Sequence, residues 1–225
     1  MTFSIAARCA RTGMFGIAVS SSSPAVAARC AFARAGTGAV ATQNITDPGL
    51  GPRALDLMAA GRSASDAIDK IVETAGHIAY RQLTAIDQTG GTAAFSGDKT
   101  LGVHAVAEGE NAVAAGNLLA DKGVPSAMIR AFQASVDADL GDRLLRALLA
   151  ALDAGGEGGP VHSAGMLLVD QVAWPIADLR VDWSEDDPIA GLKRIWDLYK
   201  PQMNDYLTRA LNPDAAPTYG VTGDP

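Results

Sequence analysis

The residues with types and positions suited to chemistry are few and widely spaced. Thr2 follows a methionine that is normally removed when the second residue is small, and an N-terminal threonine brings two groups to catalysis. Its hydroxyl is a nucleophile, and its own α-amine, with a pKa of about 8, is a general base. A β-branched residue equally suits the first position of a strand, so Thr2 alone leaves both uses open. Acyl transfer also needs hydrogen-bond donors aimed at the developing oxyanion, and Asn117, after Gly116, is a candidate that reads equally well as a turn pair. Ser21, Gln43, Asn44 and Gln82 fall at expected strand ends, where binding groups collect. Arg53 and Arg81 carry the planar fork that holds a carboxylate bidentately, which points to a carboxylate-bearing substrate.

Other combinations fail on spacing. His162 and Ser163 are adjacent, so on a strand they face opposite ways and cannot form a hydrolytic pair. Two cysteines, Cys9 and Cys30, make neither a disulfide framework nor a four-thiolate zinc site, and the three histidines lack ligand spacing. The glycine-rich stretch 155–159 lacks the Gly-Lys-Ser/Thr ending of a phosphate loop and follows a helix where that loop follows a strand. Neither a metal nor a cofactor is expected.

These side chains need a scaffold, and the patterning supplies one. Residues 2–8 and 14–20 read as a hairpin across Arg11-Thr12-Gly13, and 36–43 as a third strand. A helix from Pro52 to Gly61 is followed by one capped by Ser63, with Asp66 three residues on. Strands are expected at 82–87 and 92–96 around Thr89-Gly90-Gly91, then at 103–107 and 112–115. Helices opening at Pro125 and spanning 141–154 precede a hairpin of 163–169 with 172–179 and an amphipathic helix after Pro188. Blocks of antiparallel strands alternating with paired helices cannot make a parallel doubly wound sheet. They predict an α+β, four-layer α/β/β/α sandwich in one domain, 1–211, with 212–225 as an extended or mobile tail.

Composition agrees. The 225 residues include 43 alanines and only 5% aromatics, so the layers must approach closely. A net charge of −7 argues against nucleic acid and anionic membranes as partners. No apolar run of roughly 20 residues and no secretory leader is seen, so a cytoplasmic protein is expected. The leucine-rich helix and the final helix with Trp196 and Tyr199 offer apolar surface from which a homodimer is expected.

Several segments together resemble a known family. These are Thr2-Phe3-Ser4-Ile5-Ala6, Gly16-Ile17-Ala18-Val19-Ser20-Ser21, Gly36-Thr37-Gly38-Ala39-Val40-Ala41-Thr42-Gln43, Gly51-Pro52-Arg53-Ala54-Leu55, Arg81-Gln82, Gly116-Asn117, Ser163-Ala164 and Asp178-Leu179-Arg180-Val181-Asp182. The sequence is similar to the uncharacterised Ntn-hydrolase-like family called domain of unknown function 1028, up to about Tyr206. The resemblance implies an N-terminal-nucleophile fold and the amide hydrolysis usual in that superfamily, with no substrate specified. It favours Thr2 as nucleophile, and beside it Asn117 is expected as a second catalytic group, with Ser21, Gln43, Asn44, Arg53, Arg81, Gln82 and Ser163 expected to bind substrate. A non-catalytic ligand-binding or structural relative is the alternative. One departure from the family pattern is Gly158-Gly159-Pro160-Val161-His162, where a polar loop containing Arg and Gln is usual.

Overall fold

The structure, a computed structural model, describes residues 1–223. In β1 (Thr2–Arg8) the apolar Phe3, Ile5 and Ala7 alternate with small or polar residues, and β2 (Phe15–Ser21) returns antiparallel to it. The turn between them closes at Gly13, whose positive φ of 78° suits a residue without a side chain. A short helix, α1 (Ala27–Cys30), and strand β3 (Ala31–Arg34) lead into β4 (Gly38–Asn44). Next come α2 (Leu50–Ala59), α3 (Ala64–Thr74), β5 (Arg81–Asp87), β6 (Thr92–Ser96), β7 (Ala105–Gly109) and β8 (Ala112–Asn117). The chain continues through α4 (Val124–Gln133), α5 (Leu140–Asp153), β9 (Ser163–Val169), β10 (Ala177–Val181), α6 (Pro188–Tyr199) and α7 (Met203–Leu211).

The strands form two antiparallel sheets, a six-stranded one in the order β10-β9-β2-β1-β8-β7 and a four-stranded one in the order β3-β4-β5-β6. One face of the large sheet, including Phe3, Ile5 and Ala7, packs under α4, α5 and α6 through Phe132, Leu144, Leu148 and Trp196. Its other face, with Ala6, Ile17 and Val113, meets Ala39, Ala41 and Ile86 of the small sheet. The far side of the small sheet buries Val40, Leu83 and Ala85 against Leu55, Ile68 and Ile71 of α2 and α3. This is the four-layer α/β/β/α sandwich that the sequence predicts, and alanines line its layer contacts, Ala6, Ala39 and Ala41 between the two sheets and Ala7, Ala114 and Ala147 between the large sheet and its helices.

The local signals also hold. Ser63 caps α3, its hydroxyl accepting from the Asp66 N–H at 3.1 Å. Asp87 accepts from the N–H groups of Ala64, Thr89 and Gly91, tying the start of α3 to the β5–β6 turn. Burial alone would raise its pKa, but these bonds outweigh burial and hold the carboxyl below its usual range.

Four expectations shift. The α1–β3 excursion is too short to announce itself by periodicity. The strand expected at 172–179 begins later, as β10, because Trp174-Pro175 lies in the connection and proline has no N–H for a ladder. Leu144, Leu145 and Leu148 of α5 and Trp196 of α6 are buried inside the chain and offer no surface to the expected homodimer, whereas Leu149, Leu152 and Tyr199 are only partly buried. Part of the expected tail is folded: 213–215 makes a 3-10 turn and Arg209 donates to the Pro217 carbonyl, while 224–225 lie outside the described residues. Among the described residues, no helix is long and apolar enough to cross a membrane, and no group of three or more His, Cys, Asp or Glu could hold a metal ion.

Candidate functional site

Strand parity decides what faces what. In β1, Phe3, Ile5 and Ala7 point to the helices, so Thr2, Ser4 and Ala6 point between the sheets. Register then assembles a polar row across four neighbouring strands. Thr2 pairs with Asn117 of β8, Ser21 of β2 pairs with Ser163 of β9, and the Thr2 and Ser21 hydroxyls lie 3.4 Å apart. All four residues are buried. A second row faces it from the small sheet, where Gln43, Gln82 and Ser96 are consecutive partners on β4, β5 and β6.

Hydrogen bonds join the two rows. Ser4 Oγ donates to Gln43 Oε1 at 2.7 Å, and Gln43 Nε2 donates to Gln82 Oε1 at 2.8 Å. Asn117 Nδ2 donates to the same Gln82 oxygen at 3.1 Å. Gln82 Nε2 in turn donates to Ser96 Oγ at 3.0 Å and to the Gly116 carbonyl at 3.1 Å. Gln82 therefore fixes the Asn117 amide from across the sandwich. Asn117 Oδ1 is buried without a partner, and one of the two Nδ2 hydrogens is uncommitted by this network. The Met1 carbonyl accepts from both Thr2 Oγ1 and Ser21 Oγ.

Immediately after Asn117 the chain turns sharply, with Leu118 at a φ of 52°, a strained conformation for a leucine. It is held by its N–H on the Leu101 carbonyl and by its carbonyl accepting from Gly158 N–H, at 3.0 and 2.9 Å. This ties the glycine-rich loop to the end of β8 and brings in a residue that the sequence did not reveal. Glu157 is 4% exposed; its Oε2 accepts from the Ser22 N–H at 3.1 Å, and Oε1 is buried without a partner. Burial pushes its carboxyl up to about 7, against the attraction of the nearby Met1 ammonium. The available signal was a lone acid amid glycines, which otherwise reads as a flexible loop.

A carboxyl held above its ordinary value of 4.5 has a definite linkage sign. Between about 4.5 and 7 the folded chain keeps a proton that the unfolded chain has lost, so stability from this group is full below 4.5 and falls as pH rises to 7. The interval corresponds to roughly 3 kcal/mol. Glu157→Gln is expected to remove that decline, so urea unfolding at pH 4.5 and 7.5 should show the variant gaining on the parent by an amount of this order. A parent-to-variant difference that does not change with pH eliminates the buried-carboxyl account.

The remaining sequence candidates are placed elsewhere or serve as anchors. Arg81 precedes Gln82, so it points to the opposite face of β5, where its Nη1 donates to the Ile45 carbonyl. Arg53 reaches across to Thr74 at the end of α3, in the outer helix layer. Neither guanidinium is brought to Thr2. Asn44, at a φ of 74°, pins two loops by donating to the Tyr80 carbonyl and accepting from Leu101 N–H. Ser163 donates to the Ser23 carbonyl at 2.6 Å, which secures the chain where it leaves β2. His162 stacks on Trp183 with ring centroids 4.4 Å apart, away from that hydroxyl's contacts.

The chain matches the family described as "Family of unknown function (DUF1028)" over residues 2–192. None of the curated proteins matches it. Among solved structures, protein SPO2555 from Silicibacter pomeroyi, itself assigned to DUF1028, is 32% identical, with a TM-score of 0.82 over 88% of this chain and 89% of that one. Anbu (ancestral beta-subunit) from Yersinia bercovieri overlaps at 12% identity and a TM-score of 0.38, over 91% of this chain and 97% of that one, too loosely to carry an argument. With the family pattern spanning β1 to α6 and a relative of the same architecture at this identity, the chain belongs to the DUF1028 family.

Proposed function

We propose that this protein is an N-terminal-nucleophile amidohydrolase, in which removal of Met1 exposes Thr2 as the reactive residue for a small amide. The observation that supports this reading is the buried polar row. Thr2 is the first residue of a central strand, with a serine hydroxyl 3.4 Å away on one side and a fixed carboxamide in register on the other. In the reaction, the Thr2 α-amine takes the hydroxyl proton as Oγ1 attacks the substrate carbonyl. The uncommitted N–H of Asn117 meets the oxyanion. Collapse breaks the C–N bond, the leaving amine takes the proton from the α-ammonium, and a threonine ester remains. Water, activated by the same amine, then releases the carboxylic acid. The carboxylate-bearing substrate suggested by Arg53 and Arg81 draws no support from their positions, so the substrate is stated as a small amide.

A second reading has its own observation. With Met1 in place, its carbonyl occupies both hydroxyls, which suits a non-catalytic relative. Untagged protein separates the two by intact mass and by labelling with an electrophile that needs both a hydroxyl and a free N-terminal amine. Loss of Met1 and a single label at Thr2 are expected; full retention of Met1 favours the non-catalytic reading.

The pH profile gives a further test. Activity is expected to rise as the amine loses its proton, with a limb at about pH 8. An ionised Glu157 nearby favours the ammonium form, so Glu157→Gln should move this limb to lower pH. A kcat/KM that stays flat from about pH 6 to 9 rules out the amine as base.

A further inference from the structure

A cavity of about 360 Å³ opens at the opposite end of β1 from Thr2, roughly 20 Å away at the rise of a strand. Its walls include Arg8, Cys9, Arg11, Glu110, Asn111 and Arg143. Three guanidiniums on one cavity run against the net charge of −7. Among the described residues none of the three has an ion-pair partner. Their hydrogen bonds go to neutral oxygens: Arg8 to Asn111 Oδ1 at 3.2 Å, Arg11 to the Ala138 carbonyl at 3.3 Å, and Arg143 Nε to the Phe132 carbonyl at 3.2 Å. The neighbouring carboxylates of Asp139 and Asp142 both pair with Lys200. Glu110, on the cavity wall, is exposed.

Arg143 is the most informative of the three. It is 6% exposed, and its guanidinium carbon lies 3.7 Å from the centroid of the Phe132 ring, so the plane is fixed before anything binds. Burial, reinforced by the charge of Arg11 and opposed by Cys9, weakens its hold on its proton. A buried cation without a counter-charge is costly, and an anion in the cavity would relieve that cost.

We propose that this cavity is a binding site for a small oxyanion, a carboxylate or a phosphate, held by Arg143 together with Arg11 and Arg8. Planar forks match such ligands bidentately, and the volume lies within the range of small-molecule sites. The site is independent of the chemistry proposed at Thr2.

Calorimetric titration with inorganic phosphate and, separately, malonate, at ionic strength held constant with chloride, tests the assignment. Saturable binding of at least one anion is expected. Phosphate alone assigns a phosphate site, malonate alone a carboxylate site, and both a site for either oxyanion. Arg143→Gln should abolish binding, and Arg11→Gln, at an exposed position, should weaken it by at least about tenfold. Should the buried variant fail to fold, Arg11→Gln and Arg8→Gln carry the test. Heat no greater than that of chloride for both anions, or parental affinity in every variant that folds, overturns the proposal.

Discussion

Thr2→Ala is expected to lower turnover of a hydrolysed small amide by about 10³-fold or more while leaving the fold intact, an effect of roughly 4 kcal/mol or more on the barrier. The substitution keeps the strand, its pairing with Asn117 and a small second residue, so the proposed removal of Met1 and the α-amine it exposes are unaffected. Only the nucleophilic oxygen is lost. Thr2→Ser keeps the hydroxyl and the amine and should retain a measurable fraction of the activity, separating chemistry from packing. Single-turnover kinetics on a chromogenic amide reads both variants. An alanine enzyme within tenfold of the parent removes Thr2 from the mechanism, wherever the true nucleophile lies.

Gln82→Leu should produce the largest loss of stability among the polar positions, roughly 3–6 kcal/mol, because it keeps the volume and deletes four hydrogen bonds at once. Gln43 Nε2, Asn117 Nδ2 and the Gly116 carbonyl would each remain buried without that partner, at about 1–3 kcal/mol apiece. Such a loss is a large fraction of the 5–15 kcal/mol typical of a folded domain. The same change frees the Asn117 amide, so residual folded enzyme should lose kcat more than it raises KM. Urea unfolding at matched slope, together with steady-state kinetics, checks both effects. A midpoint equivalent to less than about 1 kcal/mol of change shows that the two sheets do not depend on this link.

Much of the architecture was legible in the sequence because it is local. Alternation in 2–8, the Ser63 cap, the turn around Thr89-Gly90-Gly91 and the leucine stripe of α5 each lie within one element, where backbone geometry and side-chain period govern the outcome. The excess of alanine likewise foretold closely stacked sheets. The site was legible only in part. Thr2, Ser21, Gln43, Gln82 and Asn117 were identifiable as polar residues at strand ends, yet nothing local said that Thr2 would pair with Asn117 or that Gln82 would reach across to it. Those facts depend on strand register and on the stacking of two sheets far apart in sequence, and a one-residue change in parity reverses them. Arg81 shows this most simply: it is next to Gln82 in the chain and on the other face of the sheet. Glu157 became visible only when a loop of glycines was folded against the end of β8, because burial, and not residue type, sets its unusual carboxyl. The sequence alone determined most of the longer elements and which of their faces are apolar. Tertiary structure decided which polar groups meet, because only packing removes water from around them and fixes their distances.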